Sequence, residues 1–215
     1  MQLDWNSHFI LNIYGMCNSG KSHSLKALIY SASSKKEFDH MLLFTNTSFN
    51  NQYDYIPKDY IHPSYDERIL GNYMELQKQL ISKGKKTKGL IVFDDVLGQS
   101  EFGTKHFLTL ITQFRQFKLS VIICSQSISK IPLQIRDLAQ YSAIFRYESE
   151  RAIKNAYESF GVLFNNWHEY KEYLINSTGN HKFLFYDKSL STEGIDKAYK
   201  SLKAPAIIPE FKLKF

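Results

Sequence analysis

Cysteine is scarce: Cys17 and Cys124 are the only two in 215 residues. Two are too few for a disulfide framework, and one falls in a glycine-bearing loop while the other sits in an apolar run, so a reducing compartment is implied. No stretch of about 18 apolar residues occurs, which leaves no candidate membrane-spanning helix. Residues 1–8 lack a basic start followed by an apolar core. The expectation is a chain that is neither secreted by a visible signal nor membrane-spanning. There is also no internal repeat, low-complexity tract or linker, and arginine is rare, with five among 27 basic residues.

What is present is ordinary for a soluble globular protein: 43% hydrophobic and 22% charged residues. The length suits one domain, with a core over about residues 9–187 and a C-terminal helix and tail over 188–215. Aromatics reach 15%, and asparagine and lysine are also rich, a pattern that genome composition explains before function does. A formal charge of +6 and a pI near 9.1 favour a polyanionic partner, nucleic acid first.

One stretch carries recognisable chemistry. Gly15-Met16-Cys17-Asn18-Ser19-Gly20-Lys21-Ser22 fits G-x-x-x-x-G-K-[ST]. Before it, Phe9-Ile10-Leu11-Asn12-Ile13-Tyr14 reads as a short buried strand; after it, residues 23–33, with Leu25, Leu28 and Ile29 on one face, read as a helix. Glycines at both ends let the backbone curl until successive N–H groups point at phosphate oxygens at a helix N-terminus. The candidate nucleotide-binding set is Gly15, Asn18, Ser19, Gly20, Lys21, Ser22 and His23. Lys21 would reach the β and γ phosphates of ATP, and Ser22 would place its hydroxyl on Mg²⁺, a hard cation held by few protein oxygens.

A polar loop over 31–39 leads to a second buried strand, His40-Met41-Leu42-Leu43-Phe44-Thr45-Asn46. Residues 48–65 show no period but carry Phe49, Tyr53, Tyr55, Tyr60 and Tyr65 with Pro57 and Pro63, which suits an ordered loop with packed rings or a binding loop. A helix is expected over 66–82. Lys83, Lys85, Lys86 and Lys88 follow it, either as a solvated helix end or as a DNA-backbone contact.

Leu90-Ile91-Val92-Phe93-Asp94-Asp95 is the second motif: a buried strand with two carboxylates where its C-terminal end opens onto a nucleotide crevice. Asp94 suits Mg²⁺, through its water shell; Asp95 suits a base that orients and deprotonates the attacking water. Kinases and GTPases generally place no catalytic carboxylate directly after the magnesium aspartate. No Asn-Lys-x-Asp guanine-reading motif is present, and the few arginines form no lid cluster. A hydrolysing ATPase is favoured.

A helix over 103–116 precedes the strand Leu119-Ser120-Val121-Ile122-Ile123-Cys124-Ser125-Gln126. In the additional-strand type of P-loop sheet this strand lies between those bearing the loop and the acidic pair, so Gln126 falls between Lys21 and Asp95, suited to sense the γ-phosphate or the water. A turn and helix at 131–138, a strand at 142–147, helices at 148–160 and 167–176 and a strand at 182–186 are expected next. A last helix near 193–202 leads to a tail, 204–215, whose alternation suits an edge strand for a partner or a loosely held terminus.

The order of these motifs resembles the viral DNA-packaging ATPases of the FtsK–HerA superfamily, poxvirus-type branch, over residues 9–187: the loop at 15–22, Asp94-Asp95, Arg115 ahead of a strand ending in Gln126, then Ile131-Pro132-x-x-Ile135-Arg136. The resemblance implies an α/β, RecA-like P-loop ATPase core with a mostly parallel sheet of order 5-1-4-3-2, flanked by helices, with one or more extra C-terminal strands. It also implies a pentameric or hexameric ring that drives double-stranded DNA into a preformed capsid with ATP and Mg²⁺. A capsid or portal vertex protein would be its partner, in the host cytoplasm (viral factory) or the virion. By motif match Lys21, Ser22, Asp94, Asp95 and Gln126 take the roles given above, and Arg115 matches the family's arginine finger, with Arg136 as the substitute. FtsK-like translocases usually have Asp-Glu where this chain has Asp94-Asp95, a pair it shares with the viral branch. Two other readings use the same residues: a DNA helicase or recombination ATPase of the same fold, and a non-hydrolysing nucleotide-dependent assembly protein.

Overall fold

The short apolar runs become buried strands in the computed structural model, which describes residues 3–47 and 51–215. Met1, Gln2 and residues 48–50, with Phe49 of the aromatic segment, lie outside the described residues. In chain order the elements are β1 (Ile10–Tyr14), α1 (Lys21–Ser34), β2 (His40–Thr45), β3 (Ile61–His62), α2 (Glu67–Ser82), β4 (Gly89–Asp94), α3 (Gln99–Phe102), α4 (Lys105–Gln113), β5 (Leu119–Ser125), α5 (Leu133–Leu138), β6 (Tyr141–Phe145), α6 (Glu150–Phe160), α7 (Trp167–Ser177), β7 (Lys182–Asp187), α8 (Ile195–Ala198) and β8 (Tyr199–Lys203). The strand order is β3-β2-β4-β5-β1-β6-β7-β8. Numbering β1, β2, β4, β5 and β6 as 1 to 5 recovers the expected 5-1-4-3-2. Beyond this core the sheet carries two antiparallel C-terminal strands, β7 and β8, and it differs from expectation by the two-residue β3 outside β2.

The chain divides into two compact units, the first built from residues 11–27 and 124–206, the second from residues 3–10, 28–123 and 207–215. In the first unit β1 runs parallel to β6, with Asn12 opposite Ser142 and Tyr14 opposite Ile144. Side-chain caps start two of its helices: Ser149 accepts from the Ala152 N–H ahead of α6, and Asn166 from the Glu169 N–H ahead of α7, each satisfying a donor that the helix leaves unpaired.

The helix expected near 193–202 is a correction. Gly194, at φ 97°, admits a single helical turn, α8, and the chain then straightens into β8. Cross-strand packing decides this: Tyr199 stands opposite Tyr186 with ring centroids 4.7 Å apart, and its hydroxyl donates to the Phe160 carbonyl.

In the second unit β2 lies parallel to β4, and Phe44, opposite Phe93, stacks on it with centroids 5.3 Å apart and planes 5° from parallel. Fully burying a ring of this kind is worth about 1.5–3 kcal/mol. Asp66 caps α2 by accepting from the Arg68 and Ile69 N–H groups. The single helix expected over 103–116 is two, α3 and α4, parted at Gly103 and Thr104. Where an unpatterned loop is expected over 48–65, the described part holds β3 and buries Tyr53, Tyr55 and Ile56.

The tail is the second correction, because it is not loosely held. The Leu213 N–H donates to the Tyr55 carbonyl at 2.8 Å, the Phe211 ring packs 4.8 Å from Tyr55 and 5.1 Å from Tyr30, and Leu213 is buried. Its apolar side chains close over this aromatic cluster. Among the described residues no helix is long and apolar enough to cross a membrane.

Candidate functional site

The glycine loop belongs to the first unit. It leaves β1 at Gly15, whose N–H donates to the Ser125 carbonyl at 3.1 Å. A Cβ at position 15 would stand 2.6 Å from Ser19 Oγ and 2.7 Å from Phe145 Cβ, so only glycine fits without a shift. Asn18 at φ 60° and Gly20 at φ 104° turn the backbone through left-handed conformations, and the Ser24 N–H bonds back to the Gly20 carbonyl at 2.9 Å to open α1. Such a turn at a helix N-terminus forms a nest for an anion. Lys21 is buried, and its ammonium donates to the carbonyl of Gly15 and, at 3.4 Å, to that of Met16, which places the charge on the loop. Ser19 Oγ is buried there with no protein hydrogen-bond partner, a polar atom suited to a ligand oxygen.

Two cavities border this loop. One of about 550 Å³ runs from Asn18 and Ser19 to Arg146, Glu148 and His181; a second, of about 350 Å³, lies along Gly20, His23 and Ser24 against Lys203 and Ala204. His181 borders both. It is presented by a tight turn in which Asn180 and His181 have φ 49° and 61° and the Lys182 N–H reaches the Gly179 carbonyl at 2.8 Å, and its Nδ1 comes within 3.5 Å of the Ser19 carbonyl. His23 Nε2 donates to the Pro205 carbonyl at 2.7 Å. Gln126, half-buried, directly follows the Ser125 that holds Gly15, and the Tyr147 hydroxyl donates to its carbonyl at 3.2 Å. His181 and Tyr147 were missed in the sequence. Gly179-Asn180 does mark a turn, but no sequence signal says that this turn meets the glycine loop.

The acidic pair belongs to the second unit. Asp94 ends β4, opposite Thr45, with its side chain buried, and the Tyr53 hydroxyl donates to its Oδ2 at 2.5 Å. Asp95 is exposed and adopts φ 54°, and Asn46 Nδ2 donates to its carbonyl at 3.1 Å. A left-handed aspartate at a strand end breaks the strand's alternation and turns the two carboxylates apart, one inward and one toward solvent.

Arg115 is exposed in the turn after α4, its guanidinium carbon 4.8 Å from the Phe114 ring centroid. It precedes β5, whereas Gln126 follows it. The substitute Arg136, in the first unit, instead turns inward: it donates to Ser159 Oγ, and its Nε is buried without a protein partner. Of the lysine run, Lys83, Lys85 and Lys86 are exposed, while Lys88 bonds Asn6 Oδ1 at 2.8 Å through its ammonium and Asp39 Oδ2 at 2.7 Å through its N–H.

A strand, glycine nest and helix within a mostly parallel α/β sheet of this order make the fold that of a P-loop ATPase. The match of residues 3–166 to the family described as Poxvirus A32 protein then places the chain: it belongs to that family. It is similar to the genome packaging NTPase B204 of Sulfolobus turreted icosahedral virus 2, solved with AMPPCP, at a TM-score of 0.68 and 14% identity over 93% of this chain and 100% of that one. EssC (ATPases 2 and 3) of Geobacillus thermodenitrificans has a similar fold, with a TM-score of 0.63 and 12% identity over 97% of this chain and 42% of that one. In sequence it is 26% identical over 184 residues to the uncharacterized protein 075L of Invertebrate iridescent virus 6, covering 85% of this chain and 71% of that protein.

Proposed function

We propose that this chain is an ATP-hydrolysing motor that, assembled as a pentameric or hexameric ring, moves double-stranded viral DNA into a preformed capsid. Its partner would be a capsid or portal vertex protein, at the viral factory in the host cytoplasm or on the virion. The observation that carries the reading is the loop at 15–22, with a left-handed nest, the Lys21 ammonium and the unpartnered Ser19 Oγ gathered at one helix start. Membership of the Poxvirus A32 protein family, and the likeness to a protein described as a genome packaging NTPase, supply the biological direction.

In this reading the loop N–H groups and Lys21 bind the phosphates, and His23 completes the nucleotide-binding set. Ser22 and Asp94 would each offer a hard oxygen of the kind that Mg²⁺ takes together with phosphate and water. When bound, the ion would neutralise phosphate charge. Asp95, exposed at the end of β4, orients the attacking water and accepts its proton. Gln126 senses the γ-phosphate, and Arg115 serves the nucleotide of the neighbouring protomer.

Depleting the protein during infection tests the assignment: capsids should form but remain empty, while genome replication continues. Replication that stopped instead, together with strand displacement on a forked duplex by the purified protein, would support a helicase and overturn packaging.

A further inference from the structure

Tyr53 sits in a stretch without helix or strand, yet only 2% of its surface is exposed, and its hydroxyl donates to Oδ2 of Asp94. At 2.5 Å the contact lies at the short end of the range for a hydroxyl donating to an oxygen. The segment around it is braced on both sides. The Ile56 N–H closes a turn onto the Tyr53 carbonyl at 2.8 Å, the Tyr53 and Tyr55 rings lie 6.0 Å apart, and the Tyr55 carbonyl accepts from the Leu213 N–H at 2.8 Å. The phenol is therefore presented by backbone that the C-terminal tail clamps in place.

A carboxylate that binds a metal needs its plane fixed, and a neighbour that donates to one of its oxygens does this; removing such a neighbour typically weakens metal affinity or activity about 10- to 100-fold. We propose that Tyr53 is a positioning residue: it fixes the Asp94 carboxylate for the Mg²⁺ that accompanies the nucleotide. The proposal rests on the ATPase reading. In this role Tyr53 acts through Asp94, whose Oδ2 accepts from its hydroxyl.

Tyr53→Phe removes one oxygen and keeps the ring. A fluorescent ATP analogue titrated without divalent ion, and then with increasing Mg²⁺, separates the two contributions. Metal-free nucleotide affinity should match wild type, because the loop at 15–22 is untouched, while the Mg²⁺ concentration at half-effect should rise about 10- to 100-fold. A merely structural tyrosine would lower the melting temperature and leave that concentration where it was, which would overturn the proposal. In an Asp94→Asn background the added Tyr53→Phe should shift nothing further; a shift as large as in wild type would equally overturn it. Wild-type protein that bound the analogue without any response to Mg²⁺ would overturn the ATPase reading as well, whereas a normal wild-type response with an unshifted Tyr53→Phe removes Tyr53 alone.

Discussion

A single methyl group at Gly15 should damage nucleotide binding more than it damages the fold. Gly15 is not among the glycines at positive φ, so alanine is acceptable to the backbone there and the obstacle is space. The new Cβ would meet Ser19 Oγ at 2.6 Å, which a hydroxyl rotation relieves, and Phe145 Cβ at 2.7 Å, which falls 0.7 Å short of ordinary contact at 3.4 Å. Phe145 cannot retreat easily: it is the buried end of β6, its ring 5.1 Å from that of Phe183. The loop must yield instead, drawing the Gly15 N–H away from the Ser125 carbonyl and opening the nest. Overpacking of this kind is worth about 1–3 kcal/mol, so Kd for ATP should rise by about 5- to 100-fold at roughly 1.4 kcal/mol per factor of ten. Calorimetric titration of Gly15→Ala measures it. Gly84→Ala is the control: it forces alanine to φ 74° with no atom within 4 Å of the new Cβ, so it should lower the melting temperature and leave Kd alone. Wild-type affinity in Gly15→Ala, or an equal loss in both variants, would refute the reasoning.

Two further outcomes follow from the charged surface. Replacing Lys83, Lys85 and Lys86 by Ser should reduce the dependence of log K for double-stranded DNA on log salt by about 0.9 per lysine that contacts a phosphate, with Lys88→Ser adding less because its ammonium is already bonded to Asn6; an unchanged slope removes the run from the interface. Arg115→Ala mixed with Asp95→Asn should recover partial ATPase activity, because each mixed ring then holds some sites with an intact base and an intact finger; fingers of this kind are worth about 10³- to 10⁵-fold in rate. No recovery in mixed rings, or full activity of Arg115→Ala alone, would refute the assignment.

Much of the fold was legible because its signals are local. The apolar run of β4 ends in two aspartates, Asp66 announces α2, and the eight residues of the glycine loop carry both their spacing and their flanking elements. The 5-1-4-3-2 core came from the resemblance of motif order. What escaped depends on partners distant in sequence. Of β8 only Tyr199 is buried, so its period-2 pattern is nearly silent, and its reason for being a strand is Tyr186. The tail alternates apolar and basic residues as an edge strand would, but the rings of Tyr30 and Tyr55 decide where it lies. In the same way Tyr53, inside an aromatic-rich loop, gave no sign that its hydroxyl would reach a carboxylate 41 positions later.

The central claim, hydrolysis of ATP with Asp95 as base, is tested most directly by the turnover of Asp95→Asn beside its nucleotide affinity. Asparagine tolerates the left-handed φ of 54° found at position 95 as readily as aspartate does, and the Asn46 bond is to the main-chain carbonyl, so the substitution removes charge and leaves the backbone as it was. General-base contributions are about 10²- to 10⁴-fold. Steady-state Mg²⁺-ATP hydrolysis should fall by that factor while Kd for ATP stays at the wild-type value; turnover at the wild-type rate would contradict the account.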